Sequence, residues 1–352
     1  REQRGRVPCP LKLLYSSPEA GGTALSEVLA HNGHDVYLWT RNGQQAEEIN
    51  TEHTNGKYLP DVTLHPGIRA TNSVEEAMSG AKACVVVAPS AAMRQVAGMM
   101  KPYLTDEMVV VHATKGFETE TLKRMSEVLV EELGCSSDRI AVLSGPSHAE
   151  EVVKQCPTTV VVASTSTKAA EQAQDLFMNE SFFRVYTNPD VIGVELAGAL
   201  KNIIALGAGL SDGLEFGDNG KAALLTRGLA EIARLGVVMG ANAMTFAGLA
   251  GVGDLVVTCT SSHSRNWRAG SLIGQGMAVD EVLAHMGMVV EGIRTTKAAH
   301  SLADRYDVQM PITEQLYRVL FESRDPKTAV ECLMGRVRKN EIEEVATSDW
   351  SS

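Results

Sequence analysis

Residues 83–113, ACVVVAPSAAMRQVAGMMKPYLTDEMVVVHA, contain two nearly continuous apolar runs, Val85-Val86-Val87 and Val109-Val110-Val111. A strand with one face in water alternates apolar and polar residues, whereas a strand covered on both faces is apolar throughout. Strands of the second kind occur in parallel sheets, because their crossover connections place helices on both faces. This stretch therefore predicts a mainly parallel sheet with helices on either side.

Similar runs recur on both sides of this stretch, and helical patterns such as 22–32 and 120–133 lie between them. Alternation of strands with helices is typical of a doubly wound α/β fold. The candidate strands are residues 11–16, 35–40, 83–88, 108–113, 139–143, 158–163 and 182–186.

The character of the sequence changes after about residue 188. Long segments rich in Ala, Leu and Gly follow, and none of them resembles a strand; they are residues 191–213, 222–240, 279–286, 295–306 and 313–321. We therefore predict a sheet domain over 11–188 and an all-helical C-terminal domain over 189–340. The charged residues 341–352 are predicted to form a frayed tail.

The first candidate strand leads into a glycine-containing turn and a helix, the layout in which parallel sheets bind the pyrophosphate of a dinucleotide. Alignment on Gly22 places the three positions that glycine usually occupies at Ser17, Glu19 and Gly22. Gly22 fits the close packing of helix on strand, with Ala20 and Gly21 beside it. This layout fits a Rossmann-like, dinucleotide-binding domain over 11–188, but the loop alone does not establish a cofactor site. The alternative is a strand–loop–helix packing site.

Two of these positions depart from the glycine pattern. Ser17 lacks the backbone freedom of glycine, and Glu19 places a carboxylate where a pyrophosphate approaches the backbone. An unpaired carboxylate there is expected to cost ~2–4 kcal/mol, or roughly two to three decades in affinity. At the end of the second strand, Arg41 and Asn42 replace the usual acidic residue, which indicates tolerance of NADP. The alternative for Arg41 is an ordinary solvated loop arginine.

A helix in the second half carries Lys201 and Asn202. The lysine has Ala199, Leu200 and Ile203 as neighbours, so it is expected to be partly desolvated. Desolvation lowers the pKa of a lysine and suits it to proton transfer. The alternative is a surface lysine on an amphipathic helix.

A glycine-marked stretch, Gly251-Val252-Gly253, precedes a second group of polar residues. Asp254 and Thr258 follow the glycines directly, and Ser264, Arg265 and Asn266 come next. The planar guanidinium of an arginine donates several hydrogen bonds in a geometry that matches phosphate. This stretch therefore indicates a pocket for an anionic substrate.

Other polar residues follow candidate strands of the sheet. Gly145 and Ser147 come after strand 139–143, and Lys115 comes after strand 108–113. Ligands of doubly wound sheets bind at the carboxyl ends of the strands, which is where these residues are expected to lie. His148 is either an acid by residue type or the residue that begins a helix.

Composition limits the class of partner. The formal net charge of −11 gives nucleic-acid binding no global electrostatic support. The six cysteines include no Cys-x-x-Cys pair, which argues against a zinc site and fits a reducing compartment. No apolar run reaches the ~20 residues of a membrane span, and the first ten residues lack a signal-peptide core. A cytoplasmic protein with a small-molecule substrate, no metal and no membrane insertion is expected.

The order of these motifs resembles that of the bacterial-type NAD(P)-dependent glycerol-3-phosphate dehydrogenase family. The resemblance runs from about Gly22 to about Arg336. It is carried by the segments 112–116, 143–151, 193–202, 251–260, 263–270 and 289–292.

The resemblance implies roles for individual positions. Lys201 corresponds to the catalytic proton donor and acceptor, and Lys115 to the active-site lysine that contacts both substrate and cofactor. The implied substrate contacts are Lys115, Gly145, Ser147, Lys201, Asn202, Asp254, Thr258, Ser264, Arg265 and Asn266. The implied cofactor contacts are Ala20, Gly21, Gly22, Arg41, Asn42, Lys115, Ala149, Arg265, Val289 and Glu291.

The implied activity is reversible hydride transfer between NAD(P)H and dihydroxyacetone phosphate, which gives glycerol 3-phosphate for glycerophospholipid synthesis. The family-level expectation for assembly is a homodimer. Two alternatives remain open. One is a hydroxy-acid dehydrogenase of the same two-domain plan, which would not need a set like Lys115, Asp254 and Arg265. The other is a non-catalytic, phosphometabolite-binding relative, for which Ser17 and Glu19 are the support.

Overall fold

The computed structural model describes residues 10–13, 20–287 and 289–337. These residues form two compact units. The first contains the chain up to Thr114 together with Met125–Val191, and the second contains Lys115–Arg124 together with the chain from Ile192 onward. The early entry of 115–124 into the second unit was not expected from the sequence. The domain boundary at 188/189 stays a prediction, and the tail 341–352 lies outside the described residues.

The first unit is built on a mainly parallel sheet, as predicted. Its strands are β1 (Pro10–Leu13), β2 (Asp35–Trp39), β3 (Ile68–Thr71), β4 (Ala83–Val86), β5 (Val109–His112), β6 (Ile140–Ser144), β7 (Thr158–Ala163) and β8 (Phe183–Asn188). Strands β1 to β3 pair in sequence order, as do β4 to β8, and β1 packs beside β4. All the pairs are parallel except β6 with β7, which is antiparallel.

Helices cover this sheet on both faces. They are α1 (Ala20–His31), α2 (Gly43–Glu52), α3 (Val74–Met78), α4 (Met93–Met100), α5 (Met125–Leu133), α6 (Ala149–Val152) and α7 (Thr167–Phe177). Val85 and Val111 join an apolar cluster that includes side chains of α1 and α7. Val86 and Val110 join a second cluster with side chains of α4 and α5. Neighbouring valines therefore pack into apolar clusters on opposite faces of the sheet, which explains the unbroken apolar runs.

The second unit is helical, and no strand occurs in the part of the chain after Asn188 that the structure describes. Its helices are α8 (Val191–Gly213), α9 (Gly217–Val238), α10 (Asp254–Thr260), α11 (Arg265–Gly274), α12 (Val279–Met286), α13 (Glu291–Tyr306), α14 (Pro311–Phe321) and α15 (Pro326–Met334). Together with the sheet of the first unit, this arrangement confirms the predicted fold class.

Helix α8 has the length and composition of a membrane span, with a mean hydropathy of 1.6 over 18 residues. Such a helix was not expected from the sequence. In the structure, 89% of that window is buried inside the protein. The apolar side chains of α8 therefore face protein, as in the central helix of a helical core.

Two sequence predictions are wrong in detail. The strand β3 was not predicted, because it is only four residues long and contains the exposed Arg69. The helix predicted over 120–133 begins only at Met125. Leu122 has a φ of 61°, and Phe117 pairs with Arg124 in an antiparallel bridge, so residues 117–124 form a hairpin instead.

Candidate active site

Lys201 lies on α8 and is 5% exposed. Its Nζ donates to Oδ1 of Asp254 at 2.5 Å and to Oγ1 of Thr258 at 2.7 Å. Burial lowers the pKa of Lys201 to about 7; the Asp254 carboxylate opposes this shift, and the charge of Lys115 adds to it. Both the ammonium and the neutral amine are therefore populated near neutral pH, as a group that gives and takes protons requires.

Asp254 connects the two lysines. Its Oδ2 accepts from Nζ of Lys115 at 2.8 Å while its Oδ1 accepts from Lys201. Burial alone would raise the pKa of Asp254, but the two ammonium groups outweigh it and hold the pKa below its ordinary value. The carboxylate stays ionised, so the cluster of Lys115, Asp254 and Lys201 carries one net positive charge when both lysines are protonated.

A π-helical turn, Leu249–Gly253, sets the direction of the helix that begins at Asp254. A side chain at Gly251 would overlap the backbone of Phe246, so only glycine fits this turn. Asp254 and Thr258 lie one helical turn apart on the same face of α10, and Oγ1 of Thr258 also donates to the Asp254 carbonyl at 2.6 Å. Single π-turns within helices are frequent at functional sites.

A chain of amides connects α8, α11 and α13. Nδ2 of Asn266 donates to Oδ1 of Asn202 at 2.9 Å, and Oδ1 of Asn266 accepts from the backbone N–H of Gly292 at 2.8 Å. Both asparagines are buried. The structure thus brings together two of the predicted substrate contacts, and the amide chain fixes which way each side chain points.

Close contact between the backbones of α8 and α11 brings the Asn202 and Asn266 side chains within hydrogen-bonding distance. A side chain at Gly270 would overlap the Leu206 carbonyl, and one at Gly209 would overlap the Trp267 carbonyl. The missing side chains let the two helix backbones touch. Asn202 and Asn266 then sit about one to two turns from the contact, within reach of each other.

The other residues of the predicted phosphate pocket lie at the start of α11. Oγ of Ser264 accepts from the backbone N–H of Trp267 at 3.2 Å and so caps the helix. Arg265 is partly buried in the first turn. The first backbone N–H groups of a helix favour a bound anion, and the positive charge of the Arg265 guanidinium favours it as well. Glu291 begins α13, and Val289 is exposed just before it.

In the first unit, Gly145, Ser147 and Ala149 follow β6. Gly145 has a φ of 131° and packs against the Val160 backbone, where a side chain would not fit without a shift. Oγ of Ser147 donates to the Gly145 carbonyl at 3.0 Å, and Ala149 is the first residue of α6. His148 directly precedes α6, which is the helix-start alternative for this residue.

The predicted cofactor residues of the first unit lie at the starts of α1 and α2. Ala20, Gly21 and Gly22 form the first turn of α1, and Gly21 is exposed; a side chain there would make only an ordinary contact with Cγ1 of Val87, at 3.9 Å. An exposed glycine in the first turn of a 12-residue helix lets an anionic pyrophosphate approach the backbone N–H groups, so these residues fit a dinucleotide. Ser17 and Glu19 lie outside the described residues.

Arg41 and Asn42 lie after β2. Nη2 of Arg41 donates to Oε1 of Gln95 at 2.8 Å on the exposed surface, and Oδ1 of Asn42 accepts from the Gln44 N–H and caps α2. The guanidinium is accessible to solvent, which is compatible both with a 2′-phosphate contact and with a solvated loop arginine. Among the residues that the structure describes, no group of three or more His, Cys, Asp or Glu side chains could hold a metal ion.

Three residues near the cluster were not assigned a role from the sequence. Arg124 and Glu195 form an ion pair at 2.6 Å, with 13% and 4% of their side chains exposed. Gly292 donates to Asn266 and would clash with Asn202 if it had a side chain. Gly292 ends the segment 289–292, one of those that carry the family resemblance, so the sequence does contain a signal for it. The ion pair joins residues 71 apart in sequence, and no local pattern indicates it.

A doubly wound parallel sheet, followed by a helical unit that buries a lysine against an aspartate, is the plan of a nicotinamide-dependent dehydrogenase. Two family models match the chain: NAD-dependent glycerol-3-phosphate dehydrogenase N-terminus over residues 20–170 and NAD-dependent glycerol-3-phosphate dehydrogenase C-terminus over residues 190–331. The chain therefore belongs to the NAD-dependent glycerol-3-phosphate dehydrogenase family.

Individual relatives agree with this assignment. The chain is 58% identical over 325 residues to a glycerol-3-phosphate dehydrogenase [NAD(P)+] of Lysinibacillus sphaericus, which covers 92% of this chain and 96% of the relative. It is 56% identical over 330 residues to the protein of the same name from Shouchella clausii, covering 93% and 96%. A crystal structure of glycerol-3-phosphate dehydrogenase from Coxiella burnetii superposes with a TM-score of 0.88 at 38% identity, covering 93% of this chain and 99% of that one.

Proposed function

We propose that this chain is an NAD(P)-dependent sn-glycerol-3-phosphate dehydrogenase that interconverts dihydroxyacetone phosphate and glycerol 3-phosphate. The observation that carries the proposal is the buried cluster in which Asp254 holds Lys115 and Lys201, and Lys201 has a pKa of about 7. Family membership supplies the substrate. Neither alternative from the sequence, a hydroxy-acid dehydrogenase or a non-catalytic relative, has comparable support.

Substrate binding is assigned to the second unit. Arg265 and Asn266, in the first turn of α11, bind the phosphate through charge-assisted and amide hydrogen bonds. Ser264 contributes the capped start of that helix. The net positive charge of the lysine cluster attracts the same dianionic substrate. Gly145 and Ser147 of the first unit stay predictions from the family resemblance.

Proton transfer is assigned to Lys201. In the direction of reduction, Nζ of Lys201 gives a proton to the carbonyl oxygen as that oxygen becomes a hydroxyl. In the direction of oxidation, the neutral amine takes the hydroxyl proton back. Lys115 and Thr258 orient and polarise the same oxygen, and Asp254 keeps both ammonium groups in place.

The first unit is proposed to hold the cofactor. Bound NAD(P)H supplies the hydride in one direction, and NAD(P)+ accepts it in the other. Ala20, Gly21 and Gly22 would receive the pyrophosphate at the N-terminus of α1. Arg41, with Asn42, would accept a 2′-phosphate, so that NADPH is used as well as NADH. Ala149 is a further proposed contact of this unit, whereas Val289 and Glu291 lie in the second unit and stay predictions from the family resemblance.

The test is oxidation of NADH and of NADPH, followed at 340 nm, with dihydroxyacetone phosphate against a panel of keto acids. Turnover with dihydroxyacetone phosphate alone supports the proposal, and turnover with keto acids alone refutes it. Lys201→Met is the matched control, because it keeps the length of the side chain but has no proton to give. It is expected to keep the fold and lose turnover.

The turn at Ser17 and Glu19 needs its own arm of the experiment. If the wild-type chain shows weak turnover and the Ser17→Gly/Glu19→Gly variant recovers it, cofactor affinity limits the activity. Fluorescence titration with NADH measures this affinity directly. A chain that binds no cofactor at millimolar concentration, with or without the two glycines, is the non-catalytic relative.

We also propose a cytoplasmic homodimer that does not insert into membranes. Cys135, Cys156, Cys259 and Cys332 are free thiols, which fits a reducing compartment. Burial of α8 leaves its apolar surface unavailable to lipid. Helices α8, α9, α14 and α15 form an apolar groove, and Met334 is 81% exposed at its edge. Exposed apolar surfaces of this kind are often buried when two subunits form a dimer. Light scattering after size exclusion, with and without detergent, tests both points.

A further inference from the structure

The segment 115–124, which contains the hairpin 117–124, is held at both of its ends by other residues of the second unit. At one end, Nζ of Lys115 donates to Asp254 at 2.8 Å, and at the other, Nη1 of Arg124 donates to Oε2 of Glu195 at 2.6 Å. Between the ends, the Glu118 N–H donates to the Lys123 carbonyl at 3.0 Å, and the Leu122 N–H donates to the Glu118 carbonyl at 2.8 Å.

The Arg124–Glu195 pair is much less exposed than an ordinary surface ion pair. Glu195 has 4% of its side chain exposed and Arg124 has 13%. By comparison, the Arg318–Glu314 pair of the same unit has an equal separation of 2.6 Å but 38% and 34% exposure. Exposed pairs contribute little, whereas removing one partner of a buried pair leaves the other charge uncompensated. The buried pair is therefore a strong constraint on where the hairpin lies.

The geometry connects this constraint to the lysine cluster. Glu195 and Lys201 are six residues apart on α8, which is about 9 Å along the helix axis. Arg124 is bridged to Phe117, which is buried and only two residues from Lys115. A displacement of Arg124 would therefore displace the short, paired segment 117–124 and, with it, the Lys115 ammonium that binds Asp254.

We propose that Arg124 and Glu195 are positioning residues that hold Lys115 against Asp254, so that the helix that carries Lys201 also fixes the distance between the two lysines. The inference rests on the proposed function, because its main readout is kinetic. Neither residue is assigned any contact with substrate or cofactor.

The position of Lys115 has a consequence for Lys201. The positive charge of Lys115 lowers the pKa of Lys201. The Asp254 carboxylate raises the pKa of Lys201, and Lys115 competes with Lys201 for that carboxylate. If Lys115 moves away, Lys201 loses a repelling charge and has the carboxylate to itself. Both changes raise the pKa of Lys201, so the pH profile moves upward.

The test compares Arg124→Met and Glu195→Gln with the wild-type enzyme in steady-state kinetics from pH 5.5 to 10. We expect kcat to fall roughly ten- to hundredfold. The pKa that limits kcat is expected to rise by about one unit, by the charge argument above. Arg124→Lys, which keeps the charge, should restore the wild-type pH profile and most of kcat. Combining the two charge-removing substitutions should cost less than the sum of the single effects, because they break one interaction.

The matched control is Arg318→Met, which removes an ion pair of the same length in the same unit. It should leave both kcat and the pH profile unchanged. A purely structural role for Arg124 would lower the melting temperature and the amount of active enzyme but leave the limiting pKa where it is. That outcome overturns the inference.

Two further outcomes keep the inference separate from the proposed function. If the wild-type chain turns over no dihydroxyacetone phosphate even as the Ser17→Gly/Glu19→Gly variant, the proposed function fails. If that enzyme is active but Glu195→Gln, the milder substitution, folds and shows a wild-type profile, the positioning role fails alone. Should Arg124→Met not fold, Arg124→Lys and Glu195→Gln decide the question by the same profile.

Discussion

The pKa of Lys201 predicts how the reaction depends on pH. An ordinary lysine with a pKa of 10.5 is almost fully protonated at pH 9, whereas burial lowers the pKa of Lys201 to about 7. Reduction of dihydroxyacetone phosphate needs the protonated form. With a pKa of about 7, roughly half of the enzyme is protonated at pH 7 and about 1% at pH 9. We therefore expect kcat for reduction to fall about tenfold for each pH unit above pH 8.

Oxidation of glycerol 3-phosphate needs the neutral amine, so its dependence on pH has the opposite sign. Its kcat should rise through pH 7 and level off above about pH 8. Both limbs are measured by following NADH absorbance at saturating substrate in buffers of constant ionic strength. Deuterated NADH checks that the chemical step limits the rate.

The matched control for this prediction is Lys201→Arg, which keeps a positive charge but does not lose its proton below pH 12. Its residual reduction should show no falling limb between pH 7 and 9. A wild-type reduction rate that stays level up to pH 10 would mean that Lys201 has an ordinary pKa. The proton-transfer role and the argument from burial would then both be wrong.

Three further predictions concern the substrate pocket and the helical packing. Arg265→Ala should raise KM for dihydroxyacetone phosphate by roughly one to two decades with a smaller effect on kcat, because a charge-assisted phosphate contact is worth about 1.5–3 kcal/mol; an unchanged KM in steady-state assays counts against the phosphate contact. Gly270→Ala should strongly destabilise or misfold the protein, because the new methyl group overlaps the Leu206 carbonyl, whereas Gly220→Ala in α9 should be neutral in thermal unfolding. Glu231→Ala should lower the unfolding free energy by about 2–4 kcal/mol, because the buried Glu231 carboxylate accepts three hydrogen bonds at the start of α14; a denaturant midpoint equal to that of the wild type would contradict this.

The sheet could be predicted from the sequence because its information is local. Val85 and Val86 point to opposite faces of one strand, and both are buried, so an unbroken apolar run is enough to indicate two covered faces. Partial desolvation of Lys201 was also expected, because Ala199, Leu200 and Ile203 surround it in the sequence. These neighbours left a surface lysine open as the alternative, and the contacts with Asp254 and Thr258 decide between the two.

The hairpin could not be predicted in this way. Glu120 to Arg124 contains good helix formers, and nothing local shows that Leu122 takes a left-handed conformation. The reason lies in tertiary contacts: Arg124 pairs with a carboxylate on a helix that begins some 70 residues later, and a helical turn would point it elsewhere. Partners of this kind become visible only when the topology is known.

The excursion of 115–124 into the second unit has a practical consequence for dissecting the protein. A single cut near residue 188 would separate Lys115 from Asp254 and Arg124 from Glu195, so that the first fragment would expose two cations and the second would expose the Glu195 carboxylate. Separate expression of the two halves is thus expected to give an unstable C-terminal piece. A C-terminal fragment in which residues 115–124 are fused ahead of Ile192 would carry the complete lysine cluster.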